Sequence, residues 1–151
     1  MRKYELLKEE HNIVRKCSRQ KQVIDPETRK VVGVTPDFFR LRTEDKGYLS
    51  ANWLEFNEGD RQQRIEKAFY MMKDGGLIFG AKDVLALSHV EIIKYCGMIH
   101  STKINIKLRP TSRNKAHVGI YGLPKNNSNE DLLGLLAMKS IAEIATIPIS
   151  V

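Results

Sequence analysis

The chain predicts an α+β fold, mainly an antiparallel sheet packed with about three helices. Two observations carry this. Strand candidates that are neighbours in sequence pair as hairpins, and the helical stretches do not alternate regularly with them, which disfavours a doubly wound parallel sheet. The 151 residues, 42% of them hydrophobic, supply one core and not two, so residues 1–151 are expected to form a single domain.

The elements follow in order. His11 precedes a short strand candidate, Asn12-Ile13-Val14-Arg15. Val23-Ile24 and Val31-Val32-Gly33-Val34 flank a turn that Asp25-Pro26 would start, which predicts a surface hairpin. Phe38-Phe39-Arg40-Leu41-Arg42 alternates, placing Arg40 and Arg42 together and opposite Phe39 and Leu41. Ser50 to Glu55 reads as the start of a short helix, capped by Ser50, with Trp53 and Leu54 turned inward. Gly59-Asp60 precedes Ile65, Ala68, Phe69 and Met72 at helical spacing, and Gly75-Gly76 follows, so a helix is predicted over 60–74.

Leu77-Ile78-Phe79 is a short strand candidate. Ser88-His89-Val90-Glu91 fits a capping box, which predicts a helix over 88–96 ended by Gly97. Ile104, Ile106 and Leu108 alternate with Asn105, Lys107 and Arg109, the period of a half-buried strand with a basic outer face. After the turn-rich stretch 110–115, Val118 and Ile120 alternate with His117, Gly119 and Tyr121, completing an antiparallel hairpin. Ser128-Asn129-Glu130-Asp131 opens a last helix running to about 145, apolar on most sides.

The formal charge of +7, from 25 Lys+Arg against 18 Asp+Glu, favours anionic partners. It is unevenly spread. Between Ser101 and His117 the bases Lys103, Lys107, Arg109, Arg113 and Lys115 meet no acid, whereas residues 43–60 hold Glu44, Asp45, Glu55, Glu58 and Asp60 against Lys46 alone. With only Cys17 and Cys96, no apolar leader in Met1-Arg2-Lys3-Tyr4-Glu5 and no long apolar run, the expectation is a cytoplasmic protein of a reducing compartment with no membrane partner.

The outer side of the 104–121 hairpin would gather Lys107, Arg109, His117 and Tyr121. Cations there would neutralise phosphates and the ring would stack on unpaired bases; a solvated strand face is the plainer reading. Arg40 and Arg42 suit phosphate or carboxylate recognition, or pair with Glu44, Asp45 or Glu55.

Sequence motifs for other chemistry fail. Gly75 to Gly80 has phosphate-loop separation, but Ala81 stands where Lys is needed. No GxSxG, GxGxxG or PCxxC occurs, and His89, Cys96 and His100 suggest no fourth ligand, so no metal or cofactor is predicted. Asp25, Glu27 and Lys30 are explained by turn propensity. The sharpest enzymatic expectation is metal-independent, ribonuclease-like chemistry. His11 and His117 would converge, one as base and one as acid, with a nearby cation stabilising the phosphorane.

The F-x-L-R element within Phe38 to Arg42, followed by L-S-x-N-W-L-E at Leu49 to Glu55, resembles a signature of small uncharacterised bacterial proteins. They also carry an early H-x-x-x-R, matched by His11 and Arg15, and a late N-x-A-H-x-x-I-x-G-L-P, matched by Asn114, Ala116, His117, Ile120, Gly122, Leu123 and Pro124. The resemblance implies shared architecture and supplies no mechanism. It directs attention to Ser50, Asn52 and Glu55; a functional reading would place Asn52 and Glu55 in a cleft beside Arg40, Arg42 and His117, and Arg15 is a further phosphate-binding candidate. The leading expectation is therefore a protein that binds RNA or another polyanion. The alternative is a non-catalytic interaction subunit of a bacterial mobile-element or defence assembly, meeting a protein partner or a second copy through residues 131–151.

Overall fold

A computed structural model describes residues 4–42, 45–125 and 129–148. It contains one six-stranded sheet, a separate two-stranded hairpin and three α-helices, as the α+β expectation requires. The strands are β1 (Asn12–Cys17), β2 (Gln22–Ile24), β3 (Val31–Val34), β4 (Tyr48–Trp53), β5 (Val84–His89), β6 (Asn105–Leu108), β7 (His117–Tyr121) and β8 (Ile141–Thr146). The helices are α1 (Arg61–Asp74), α2 (Val90–Ile99) and α3 (Glu130–Lys139). In the large sheet the order is β6-β7-β4-β1-β5-β8, with every neighbouring pair antiparallel. β2 and β3 pair as the expected surface hairpin, and the Asp25 carboxylate accepts from the Glu27 amide in its turn. No described helix is long and apolar enough to cross a membrane.

The two faces of the sheet are covered unequally. On one, Ile13, Ala51, Ala86, Ile106, Val118 and Ile120 pack against α2 and α3 through Val90, Ile93, Leu132, Leu133 and Leu136, forming the larger core. On the other, the apolar stripe of α1 (Ile65, Ala68, Phe69, Met72) covers Val14, Leu85 and Leu87 of β1 and β5. The predicted helix is this one, and Asp60 and Gln63 close a reciprocal capping box at its start. Residues opposite one another in an antiparallel ladder share a face. The register therefore puts Tyr48, Ser50 and Asn52 of β4, His117, Gly119 and Tyr121 of β7, and Asn105 and Lys107 of β6 on the α1 side. The core beneath the α1 stripe includes no residue of these strands, although α1 touches β4.

Several expectations are corrected. Residues 50–53 continue β4, with a single 3-10 turn over Leu54–Phe56; Ser50 caps nothing, because the alternation Tyr48/Ser50/Asn52 against Leu49/Ala51 pairs with β7. Phe38 and Phe39 are both buried, in a 3-10 turn over Pro36–Phe39, so the stretch does not alternate as a strand. Leu77–Phe79 joins no strand, and Ile78 is 82% exposed. Ser88 lies buried inside β5, α2 starts at Val90 without a side-chain cap, and Gly97 lies within that helix. Its missing side chain serves packing, since a Cβ there would fall 2.5 Å from the Thr102 carbonyl oxygen. α3 ends at Lys139, and Ile141 and Ile144 belong to β8 on β5 instead of to a helix reaching 145. Asn129 caps α3 by accepting from the Leu132 amide; Ser128 and Glu44 lie outside the described residues.

Candidate functional site

β1 and β4 are neighbours at only two positions, Ile13 opposite Trp53 and Val14 opposite Asn52. Beyond them the strands part, and Arg15 spans the gap. Its Nε donates to the Ser50 carbonyl (3.0 Å), its Nη1 to the Phe38 carbonyl (2.6 Å), and its guanidinium lies 4.3 Å from the centre of the Phe38 ring. Carbonyls orient the fork without neutralising it. No carboxylate among the described residues forms an ion pair with Arg15, and burial lowers its pKa to about 10, which leaves it cationic at neutral pH.

A cleft of about 550 Å³ opens along this parting. Its walls hold Arg15, Arg40, Arg42, Ser50, Asn52 and His117, six of the residues singled out from sequence. The end of α1 closes one side, where Gly75 packs so tightly on Asn114 that a Cβ would sit 3.1 Å from the Asn114 Cβ. Asn52 and Asn114, both buried, exchange hydrogen bonds: Asn52 Nδ2 to Asn114 Oδ1 (3.0 Å) and Asn114 Nδ2 to Asn52 Oδ1 (2.8 Å). Asn114 also organises the loop ahead of β7: its amide donates to the Thr111 hydroxyl, and its carbonyl accepts from the His117 amide.

His117 is oriented by that loop. Its Nδ1 lies 2.8 Å from the Arg109 carbonyl, and since a carbonyl only accepts, Nδ1 carries the proton and the neutral ring offers Nε2 as its lone pair. His11 is elsewhere. Its Nδ1 accepts from the Lys8 amide, its ring packs 5.0 Å from that of Trp53, and it does not line the cleft. The two histidines are not brought together, and the two-imidazole arrangement has one member in the cleft. Glu55 is also outside it, accepting the Asn12 amide (2.7 Å) and side chain (2.9 Å), which ties the start of β1 to the end of β4.

Arg40 and Arg42 differ sharply. Arg40 is held by Asp37 (2.6 Å) and by both oxygens of Glu130 (2.7 and 2.9 Å), so its charge joins the 36–39 turn to α3. The two carboxylates are accordingly held below their usual range, chiefly by the hydrogen bonds from Arg40. Arg42 is exposed, and Asp45 accepts only its backbone amide (2.7 Å). Lys21, missed in the sequence, also lines the cleft. Its pKa is lowered by burial and then by Arg42 and Arg15, the mark of cations crowded together.

Ser50, Asn52 and His117 of the cleft wall share their face of the sheet with an aromatic and basic surface, whereas Arg15, two residues on from Ile13, reaches the cleft from the opposite face through the gap. The Tyr48 and Tyr121 rings are 5.2 Å apart, Arg109 lies 4.4 Å from the Tyr48 ring and donates to the Tyr121 hydroxyl (2.5 Å), and Lys107 lies 5.0 Å from the Tyr121 ring. The hairpin residues Lys107, Arg109 and Tyr121 thus meet as expected. Tyr48 is not among the residues singled out from sequence, where Ser50 to Glu55 reads as the start of a short helix; read with period 2, Tyr48 falls in line with Ser50 and Asn52. Gly119 keeps the surface flat, since a Cβ there would fall 2.8 Å from the Tyr48 ring and 3.0 Å from the Tyr121 ring.

No family model, curated protein or solved structure matches the chain. The site is therefore read from its own geometry. Among the described residues no group of three or more His, Cys, Asp and Glu side chains could hold a metal ion; Cys96 is buried against α3 and His89 ends β5.

Proposed function

We propose that the protein binds single-stranded polyanion, RNA in preference to duplex DNA, on the open half of its sheet. The observation that carries this reading is the gathering of Tyr48, Tyr121, Lys107 and Arg109 on a helix-free face that continues into a cationic cleft. Rings and guanidinium planes offer stacking surfaces to unpaired bases, and the same cations meet phosphates. A duplex would bury its bases away from such a surface. Catalysis is not needed for this reading, since the cleft contains His117 without a second imidazole.

Fluorescence anisotropy with labelled single-stranded RNA at several salt concentrations tests it. Binding should weaken with salt. Lys107→Glu should reduce the slope of log K against log salt by about 0.7 for each phosphate that is no longer neutralised. Tyr48→Ala or Tyr121→Ala should cost about 1–3 kcal/mol if a base stacks there. Absence of binding by the unaltered protein at low salt would sink the proposal.

A second reading, association with another copy of the chain, rests on Tyr95, Met98, Ile99 and Met138, which stay exposed on the outer surfaces of α2 and α3. It no longer draws on most of the apolar residues of 131–151, because Leu132, Leu133 and Leu136 are buried within the chain and Ile147 packs on the core; Ile149 and Val151 lie outside the described residues. Native mass measurement giving only monomer at micromolar concentration would end it.

A further inference from the structure

We propose that the cleft where β1 and β4 part is a receptor for a phosphomonoester, the dianionic terminal phosphate of a nucleotide or of a nucleic-acid strand. The inference rests on the polyanion reading of the adjoining face and adds to it a specific end group.

Three cations on the cleft wall, Arg15, Lys21 and Arg42, have no carboxylate partner within ion-pair distance among the described residues. Asp45, the acidic side chain in the same wall, accepts the Arg42 amide and attracts Arg15 and Lys21 without an ion-pair contact to either. Arg15 is the fixed member. Of its five N–H groups, two are taken by the Ser50 and Phe38 carbonyls, which lock the plane of the fork and leave the other three without a partner among the described residues. A planar, pre-oriented guanidinium with no carboxylate in ion-pair contact, set in a recess, is suited to two phosphate oxygens at once. Lys21 and Arg42 crowd the same recess, and the mutual repulsion that lowers Lys21 would be relieved by an anion between them.

Charge matching selects the end group. A phosphodiester brings one negative charge and two free oxygens, whereas a monoester brings nearly two charges and three oxygens, which matches the net two positive charges left when the three cations Arg15, Lys21 and Arg42 are set against the one Asp45 carboxylate. The neighbouring Tyr48 and Tyr121 rings then receive the base attached to that phosphate or the next along the strand, so a free mononucleotide and a strand end present the same chemistry.

The test uses the full chain and matched ligands: a short RNA with a 5′-phosphate, the same RNA with a 3′-phosphate, the same RNA with hydroxyls at both ends, and a free mononucleotide against its nucleoside. At least one phosphorylated ligand should bind about 10- to 100-fold more tightly than its hydroxyl counterpart. That preference should disappear in Lys21→Ala and Arg42→Ala, which alter side chains that hold no described element together, with unchanged melting confirming the fold. Lys107→Glu should weaken both forms of the RNA alike. Equal binding of phosphorylated and hydroxyl ligands, or a preference that survives both alanine variants, overturns the inference while leaving the polyanion reading intact. Binding of the mononucleotide with no binding of any RNA supports the inference and removes the polyanion reading instead.

Discussion

Replacing Asn52 with Leu removes both hydrogen bonds of the buried amide pair while roughly keeping volume. Asn114, 5% exposed, is then left with an unpartnered Nδ2 and an unpartnered Oδ1. Each buried unsatisfied polar group costs about 1–3 kcal/mol. The adjacent cleft admits water, which can solvate one of the two, so the expected loss is about 2–4 kcal/mol. For a chain of this size that corresponds to a fall in melting temperature of roughly 5–15 °C. Urea denaturation measures the loss, and the decisive comparison is a double-mutant cycle with Asn114→Leu. The double variant has no stranded amide and should be less destabilised than the sum of the single variants by at least about 1 kcal/mol. Strict additivity, or a loss below about 0.5 kcal/mol for Asn52→Leu, would refute the view that this pair fastens the 110–116 loop to β4.

Three further outcomes follow from the geometry. Gly97→Ala and Gly119→Ala should each destabilise by about 1–3 kcal/mol in urea titrations, the first by driving a methyl group into the Thr102 carbonyl and the second by wedging between Tyr48 and Tyr121. Asp37 and Glu130 have folded pKa values below their unfolded ones, so their stabilisation by Arg40 is present above the unfolded carboxylate range and is lost as pH falls through the folded values. The melting difference between the unaltered protein and Arg40→Ala should therefore shrink on acidification towards pH 2, and a difference that grows would contradict the pairing. Cys17 is buried, with its thiol pushed up to about 11 by burial, and Cys96 is buried with its pKa also raised, so neither should react with an aromatic disulfide reagent at pH 8 until the protein is unfolded.

The amino-acid pattern makes part of this fold legible. Asp60, Gln63 and the stripe Ile65/Ala68/Phe69/Met72 agree with one another, as do the two halves of the 104–121 hairpin, because local preference and long-range packing ask for the same conformation. Where they diverge, the local reading fails. Ser88-His89-Val90-Glu91 has capping-box spacing, yet Ser88 closes the apolar run Val84 to Leu87, buried on both faces of the sheet, where periodicity is silent and pairing with β1 and β8 decides. Ile141 and Ile144 continue a helical stripe beyond Lys139, but their side chains suit a ladder equally well, and pairing with β5 takes them. At the site, Arg15, Arg40, Arg42, Ser50, Asn52 and His117 were all nameable in advance. Their convergence was not, because it depends on where β1 and β4 cease to pair, and no local pattern marks that point. Glu55 and His11 went to structural partners that a residue inventory cannot distinguish from catalytic ones.

The gap between β1 and β4 also bears on how this protein can vary. Arg15 supplies, with a side chain, a bridge that backbone would provide in a continuous ladder, and the same side chain is the fixed cation of the cleft. Selection for a sound sheet and selection for an anion site therefore act on one residue and cannot be told apart there. In a comprehensive substitution library Arg15 would register as intolerant even where the proposed anion is not bound. Lys21 and Arg42 have no such second duty, so their tolerance, measured against that of Arg15, separates what the fold requires from what the ligand requires.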